Sequence, residues 1–352
     1  MKKLILPSLF ALFVGAQAFA LTDIEITGEA DINASLYNLP TSNQGDSVFS
    51  IPSLLVNFNV PLKEGNLLFV SFEGAERRDE NSKPFTVQTR EAYLDLVSIF
   101  QGLHGFRLGL IPSSWQQAQY EDWDYRFLGP TGWVITEKWK YVYYSDLGAS
   151  FMSELPWDLG EWALAAVNGQ GRDSENPTPH KDWSLFMRFT RWNPLTFSLG
   201  YSRGSYDQYE SDTNLRERIQ ASVLWSTEDE HWRLGAELLD THDPADAITA
   251  LKMADGVNVE DFTGSSIHGQ GGSVYAIVST GPQAEWMLRW DYLNAAVGRS
   301  GKEMNTLLSA LTYDITEDVK TAFEVEYSRY ASDYGLGVRD TAKVEIAAQV
   351  LF

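Results

Sequence analysis

The stretch TAKVEIAAQVLF (residues 341–352) decides the fold. Ala342, Val344, Ile346, Ala348, Val350 and Phe352 are apolar, while Lys343, Glu345 and Gln349 fall between them. A period of two sends alternate side chains to opposite faces of a β-strand. So apolar a face must be buried in something.

The same alternation opens the chain at 22–37. Ile24, Ile26, Gly28, Ala30, Ile32, Ala34 and Leu36 face one way, and Asp23, Glu25, Glu29, Asp31, Asn33 and Ser35 the other. A one-residue slip would carry four carboxylates to the apolar side. At a bilayer midplane a charge costs up to about 2–4 kcal/mol for Arg or Lys and less for Asp or Glu. Four of them pin the register.

Between these ends the pattern predicts further strands at roughly 48–60, 67–78, 86–98, 105–111, 138–154, 162–168, 182–191, 195–204, 215–226, 231–241, 271–280, 284–296, 304–315 and 319–330. With the two outer ones they make sixteen. The stretch 67–78 is ambiguous in parity, and 162–168 and 271–280 are apolar on both faces. Short connections such as WNP (192–194), GPQ (281–283) and TED (316–318) follow even-numbered strands, and longer polar ones follow odd-numbered strands. A soluble sandwich has no cause for that bias. A transmembrane β-barrel has one, with short periplasmic turns, long extracellular loops and an even strand count. Closing the sheet also removes the edges that lipid cannot satisfy.

Aromatic residues suit this reading. Trp139, Trp157, Trp162, Trp192, Trp225, Trp232, Trp286, Phe352, Tyr37, Tyr201 and Tyr327 fall near strand ends, where interfacial belts collect such rings. Lys2 and Lys3, the apolar run from Leu4 to Gly15, and Ala18-Phe19-Ala20 have the layout of a signal peptide cut after Ala20. The expected barrel is then 21–352, in the outer membrane of a Gram-negative bacterium. The formal charge, 27 − 48 = −21, becomes 25 − 48 = −23 without the two leader lysines. That acidity argues against nucleic acid as a partner, because phosphate binding needs clustered bases. The chain has no cysteine, so no disulfide holds it.

Parity assigns side chains to the lumen. Asp23, Glu25, Glu29, Asp31, Glu324, Glu326, Lys343 and Glu345 come from strands that meet at the closure and would form an acidic wall. Arg107, Lys138, Lys140, Arg188, Arg216, Arg218, Arg233 and Arg289 fall on another part of the circumference. Opposed charge across a narrow channel focuses the field and selects ions. A lumen whose scattered charges satisfy one another in salt bridges is the alternative. The third long connection (112–137) is the candidate constriction, with Trp115, Tyr120, Trp123, Tyr125, Phe127 and Trp133 beside Glu121, Asp122, Asp124 and Arg126. A loop this aromatic is expected to fold back into the barrel; an external lid is the other possibility.

From Arg90 the chain runs REAYLDL, then GFRLGLIPSSW, KYVYYSDLGASF and WALAAVNGQG. Over about residues 90–171 it resembles the phosphate-selective porins O and P. The resemblance implies a sixteen-stranded, homotrimeric channel that admits small hydrophilic solutes passively, with lumenal bases such as Arg107, Lys138 and Lys140. The aromatic end at Phe352 resembles the signal by which the barrel assembly machinery recognises outer-membrane proteins. Two enzymatic motifs are lacking: there is no Walker loop and no H-E-x-x-H. No metal and no cofactor is implied. The acids of 242–270 lack EF-hand spacing and read as a solvated loop, with PADAITALKMADG as a short helix. The sequence therefore leads to a passive porin, with a phosphate- or organic-anion-selective channel and a structural or adhesive barrel as alternatives.

Overall fold

In the computed structural model the described residues are 24–37, 47–77, 83–97, 105–169, 171–172, 181–205, 215–243, 266–332, 334 and 340–352. They form sixteen strands: β1 (Glu25–Tyr37), β2 (Ser47–Pro61), β3 (Leu67–Arg77), β4 (Lys83–Leu96), β5 (Gly105–Pro112), β6 (Ser145–Glu154), β7 (Gly160–Val167) and β8 (Asp182–Phe189), followed by β9 (Leu195–Ser205), β10 (Leu215–Ser226), β11 (Trp232–Asp243), β12 (Ile267–Gly281), β13 (Ala284–Asn294), β14 (Glu303–Thr316), β15 (Val319–Tyr330) and β16 (Thr341–Leu351). Each pairs antiparallel with its neighbours in sequence, and β1 pairs with β16 to close the barrel. The expected signal peptide, Asp23 and the acids of the 244–265 segment lie outside the described residues.

The closure follows from the alternation at the two ends. Ala30 stands opposite Val350, Ile32 opposite Ala348 and Ala34 opposite Ile346, so the apolar faces of β1 and β16 run together. Phe352 extends the seam by one step. Its N–H donates to the Gly28 carbonyl at 3.0 Å, and the Gly28 N–H donates back at 2.7 Å. The Phe352 ring lies over Gly28, in space that any side chain there would fill. An aromatic across a glycine restores the packing that the glycine lacks.

Facing follows parity. Ile26, Ile32 and Leu36 of β1, Leu199 of β9, Leu311 of β14, Phe323 of β15 and Ile346 of β16 are exposed on the outside. Asp31, Asn33, Ser35, Glu324 and Glu345 point inward and are buried. Exposed Trp157, Trp192, Trp232 and Trp286 ring the short-turn end, and Trp183, Tyr201 and Tyr327 the other. These girdles bound the apolar band of a membrane-spanning barrel. Trp139 departs from the expected belt, because it is buried in the lumen.

One other expectation is corrected. The sixth strand begins at Ser145 and not at 138, so the third long connection runs from 113 to 144 and takes Lys138 and Lys140 with it. In β4, Arg90 is an extra residue, since Ser71 faces Glu91 while Phe72 faces Thr89. A bulge of this kind re-aims side chains. Here it buries both Arg90 and Glu91, where strict alternation would send one of them to lipid.

Substituting Ile32, 49% exposed and central in β1, tests the outward parity. Ile32→Arg should lower folding stability by about 2–4 kcal/mol, the cost of a base near the bilayer midplane. Glu25→Gln, at the edge of the same strand, should be neutral within about 0.5 kcal/mol. Denaturant titration in lipid vesicles separates the two, and equal stabilities would contradict the facing of β1. Deleting Phe352 should reduce the yield of folded barrel without affecting export, read as heat-modifiable gel mobility.

Candidate functional site

The chain between β5 and β6 folds into the lumen. Ser113 caps helix α1 (Ser114–Trp123), its side chain accepting from the Gln116 N–H. The helix stops at Asp124, whose backbone is left-handed (φ 55°) and returns its N–H to the Tyr120 carbonyl at 3.0 Å. Asp tolerates that conformation better than most residues. A 3-10 segment, Arg126–Thr131, breaks at Gly129 (φ 68°) before Pro130. Helix α2 (Ile135–Lys138) then leads through Trp139 and Lys140 to β6.

Apolar side chains seat this loop. Trp123, Tyr125, Phe127, Leu128 and Val134 pack on inward Ile277, Met287, Leu308, Ala310, Ala322 and Ala347 of β12 to β16. Ile135, Trp139 and Tyr141 pack on Leu239, Ile267, Leu293 and Met304. Trp115 and Ala118 pack on Ala163 and Phe186. Phe127 and Leu128 are fully buried, and each contributes about 1.5–3 kcal/mol on leaving water. Two glycines of the wall receive loop rings. A methyl at Gly200 would meet the Trp115 ring at 2.8 Å, and one at Gly271 would meet Trp139 at 2.6 Å.

Polar contacts complete the docking around the circumference. Gln117 accepts from Arg107 of β5 at 3.0 Å, and Gln119 donates to Ser222 of β10 at 2.9 Å. Tyr125 donates to Glu285 of β13 at 2.8 Å, and Lys138 reaches Asp291 of the same strand at 3.0 Å. Lys320 of β15 reaches Asp124 at 3.2 Å, and Lys343 of β16 donates to Thr131 at 2.6 Å. Gly129 abuts Pro52 of β2. The loop is thus a partition held on every side.

The expected site residues divide into groups. Arg188 of β8 meets the loop acids, with Nη1 2.6 Å from Glu121 and Nη2 2.5 Å from Asp122. Burial raises the Asp122 carboxyl to about 6 against the pull of Arg188, with Glu121 adding to the rise. Arg126 points the other way, at 3.1 Å from Glu73 and 3.3 Å from Glu137. Trp115 packs into the wall, and Lys140 is exposed. Arg107, Lys138 and Lys140 therefore do not oppose Glu121, Asp122 and Asp124 as a basic row. Arg107 pairs with Asp95 at 3.0 Å, while the two lysines belong to the loop itself.

The basic side is neutralised where it stands. Arg216 pairs with Asp182, Arg218 with Asp243 at 2.6 Å, Arg233 with Glu285 at 3.1 Å and Arg289 with Asp291 at 2.6 Å. The acidic wall does assemble, around one base: Lys343 lies 2.6 Å from Glu324 and 3.2 Å from Glu345. Asn33 and Ser35 donate to Glu345. Glu29 accepts from Gln349 at 2.9 Å, and Glu25 from Asn59 at 3.3 Å. Glu326 lines the outer vestibule, and Asp31 is wholly buried.

Sequence reasoning missed the cluster at Glu73, where Arg90 and Arg126 approach one oxygen at 3.2 and 3.1 Å and Arg172 the other at 2.6 Å. The bulge at Arg90 hid it from a parity argument. The carboxylates Asp182, Asp243, Glu285 and Asp291 were likewise passed over as partners of these bases, although Asp243 and Asp291 share a hairpin or strand with the base they meet.

Above the loop lies a vestibule of about 590 Å³, lined by Ser35, Glu73, Arg126, Glu137, Lys138 and Glu326 among others. On the short-turn side are cavities of about 750 Å³, near Asp124 and Lys320, and about 360 Å³, near Arg107 and Glu121. Neither shares a lining residue with the vestibule.

No family model and no curated protein matches the sequence. Solved structures do match the fold. OmpF of Salmonella typhi, in complex with daunomycin, aligns at a TM-score of 0.67 and 12% identity, over 94% of this chain and 97% of that one. An anion-selective porin from Comamonas acidovorans aligns at 0.61 and 13%, over 94% and 99%. The trimer form of OmpT, an outer membrane protein of Vibrio cholerae, aligns at 0.62 and 12%, over 94% and 99%. The chain has the outer-membrane porin fold. At these identities the likeness is one of architecture, and the lumenal chemistry has to be argued from this chain's own side chains.

Asp122 provides such an argument. With its pKa near 6, it loses its charge as pH falls from 7 to 5, leaving Arg188 with Glu121 alone. The lumen gains positive charge, so permeation should shift toward anions over that interval. Asp122→Asn should hold the shifted preference at pH 7 and flatten the pH dependence. Reversal potentials under a salt gradient measure both.

Proposed function

We propose that the protein is an outer-membrane porin, a passive channel for small hydrophilic solutes and ions whose narrowest zone is the loop 113–144. One observation carries the reading. The loop is packed across the lumen between an outer vestibule and the short-turn cavities, with charges of both signs on each side. Flow past it is limited by size and steered by paired charge, without a covalent step. The first 20 residues serve as the export signal, and Phe352 is the feature offered to the assembly machinery. A homotrimer is the assembly we favour, since a porin-fold relative is described in a trimer form.

Phosphate selectivity, which the segments of 90–171 suggest, has weaker support. A phosphate path needs bases that are not already neutralised, and Arg107, Arg216, Arg218, Arg233 and Arg289 each have a carboxylate partner. The small-solute channel fits those pairs better. A structural barrel without conductance is the second reading, favoured by the partition between the cavities.

Planar-bilayer recording decides between them. A porin should show a persistent open current; a silent barrel that is folded by gel mobility points to the structural role. Glu121 and Asp124 expose most of their side chains to the lumen, 66% and 61%. Neutralising both should shift the reversal potential toward anions, more strongly at low salt, where the Debye length grows from about 8 Å at 0.15 M to about 30 Å at 0.01 M. Arg188→Gln should shift it toward cations. If neither change moves the potential, the loop is not the selecting zone.

A further inference from the structure

The outer wall carries a polar cluster that the channel does not use. At the long-loop ends of β11 and β12, His242 stands directly opposite His268, and Asp240 opposite Gln270. By parity all four point outward, away from the lumen. The row extends sideways: Glu217 of β10 is opposite His242 on one side and Arg203 of β9 on the other. Below it the apolar band resumes with Leu238 and Val274, both exposed. The cluster therefore sits at the rim of the band, at the level where water and headgroups reach the barrel.

Its geometry is close to that of a ligand set. The two imidazoles stack with centroids 4.9 Å apart and planes 28° from parallel. His268 Nε2 lies 2.8 Å from Asp240 Oδ2, and the ligating atoms of Asp240, His242 and His268 all fall within 4.8 Å of one another. Tetrahedral zinc, with bonds of about 2.0–2.2 Å, holds its ligand atoms about 3.3–3.5 Å apart. Side-chain rotations of about an ångström close that difference, and the paired strands hold the three Cα positions meanwhile. Gln270 donates to the same oxygen, Asp240 Oδ2, at 2.9 Å and so orients the carboxylate. Hydrogen bonds of this kind orient metal ligands.

We propose that Asp240, His242 and His268 form a binding site for a divalent transition metal of the Zn²⁺, Cu²⁺ or Ni²⁺ class. Two imidazoles and one carboxylate suit these ions, whereas Ca²⁺ and Mg²⁺ favour oxygen-only shells. Three protein ligands leave a fourth position to water. The bound ion ties β11 to β12 at the rim, where the chain between them, 244–266, is otherwise a long connection. The site is independent of what passes through the lumen.

The test uses the full folded barrel in detergent micelles, stripped with a chelator and titrated with Zn²⁺ against a chromophoric competitor. One equivalent per chain should bind. His242→Ala and His268→Ala should each weaken binding at least tenfold, and the double variant should abolish it. These side chains lie on the outer surface, so heat-modifiable mobility should show all variants folded. Co²⁺ in place of Zn²⁺ should add the visible absorption of a tetrahedral site to the wild type alone. Wild-type uptake no greater than that of the double variant overturns the proposal, as does an unchanged affinity in either single variant.

Discussion

Everything in this molecule depends on the seam between β1 and β16. In hydrocarbon an unpaired N–H or C=O has no water to turn to, so a sheet survives there only if it has no edge. The seam removes the last two edges at once, from Glu29 paired with Leu351 to Tyr37 paired with Lys343. Its alignment also sets the parity of both terminal strands. Glu345 consequently faces inward, where Asn33 and Ser35 of β1 donate to it.

Once the outer face is committed to lipid, the interior inherits the opposite problem. A barrel of sixteen strands is too wide for its own wall side chains to fill. The chain solves this with the loop 113–144, and the result resembles a small soluble protein built inside a membrane protein. The three apolar clusters all lie where loop meets wall, and the charged pairs surround them. The glycines at 200 and 271 belong to this interior, since each leaves a hollow for a tryptophan of the loop.

Legibility in the sequence tracked how strictly the period of two was imposed. Every strand was readable, because lipid on one side and polar groups on the other punish any departure. The exceptions were informative in retrospect. The stretch 271–280 is apolar on both faces because Tyr275 and Ile277 turn inward to receive the loop, and 162–168 because Ala163 lies under Trp115. A strand in a lumen with an apolar inner face marks a docking patch, a signal that periodicity alone does not interpret. The start of β6 was misplaced for a related reason. Trp139 and Tyr141 are apolar at strand spacing, but they are buried by the loop's own packing and not by a sheet. The charged site was half legible: parity found the lumenal bases, while their pairing depended on the bulge at Arg90 and on cross-strand neighbours that only three dimensions supply.

The loop also has a mechanical meaning. It leaves the wall between β5 and β6 and is anchored on the far side, at Met287, Leu308 and Ala347. A strut across a cylinder resists flattening, and this one is covalently continuous with the hoop that it stiffens. Aperture and rigidity are therefore coupled in this barrel. Trimming the strut to widen the passage would take away buried apolar surface and let the cross-section turn oval, so a more permeable form would also be a softer one.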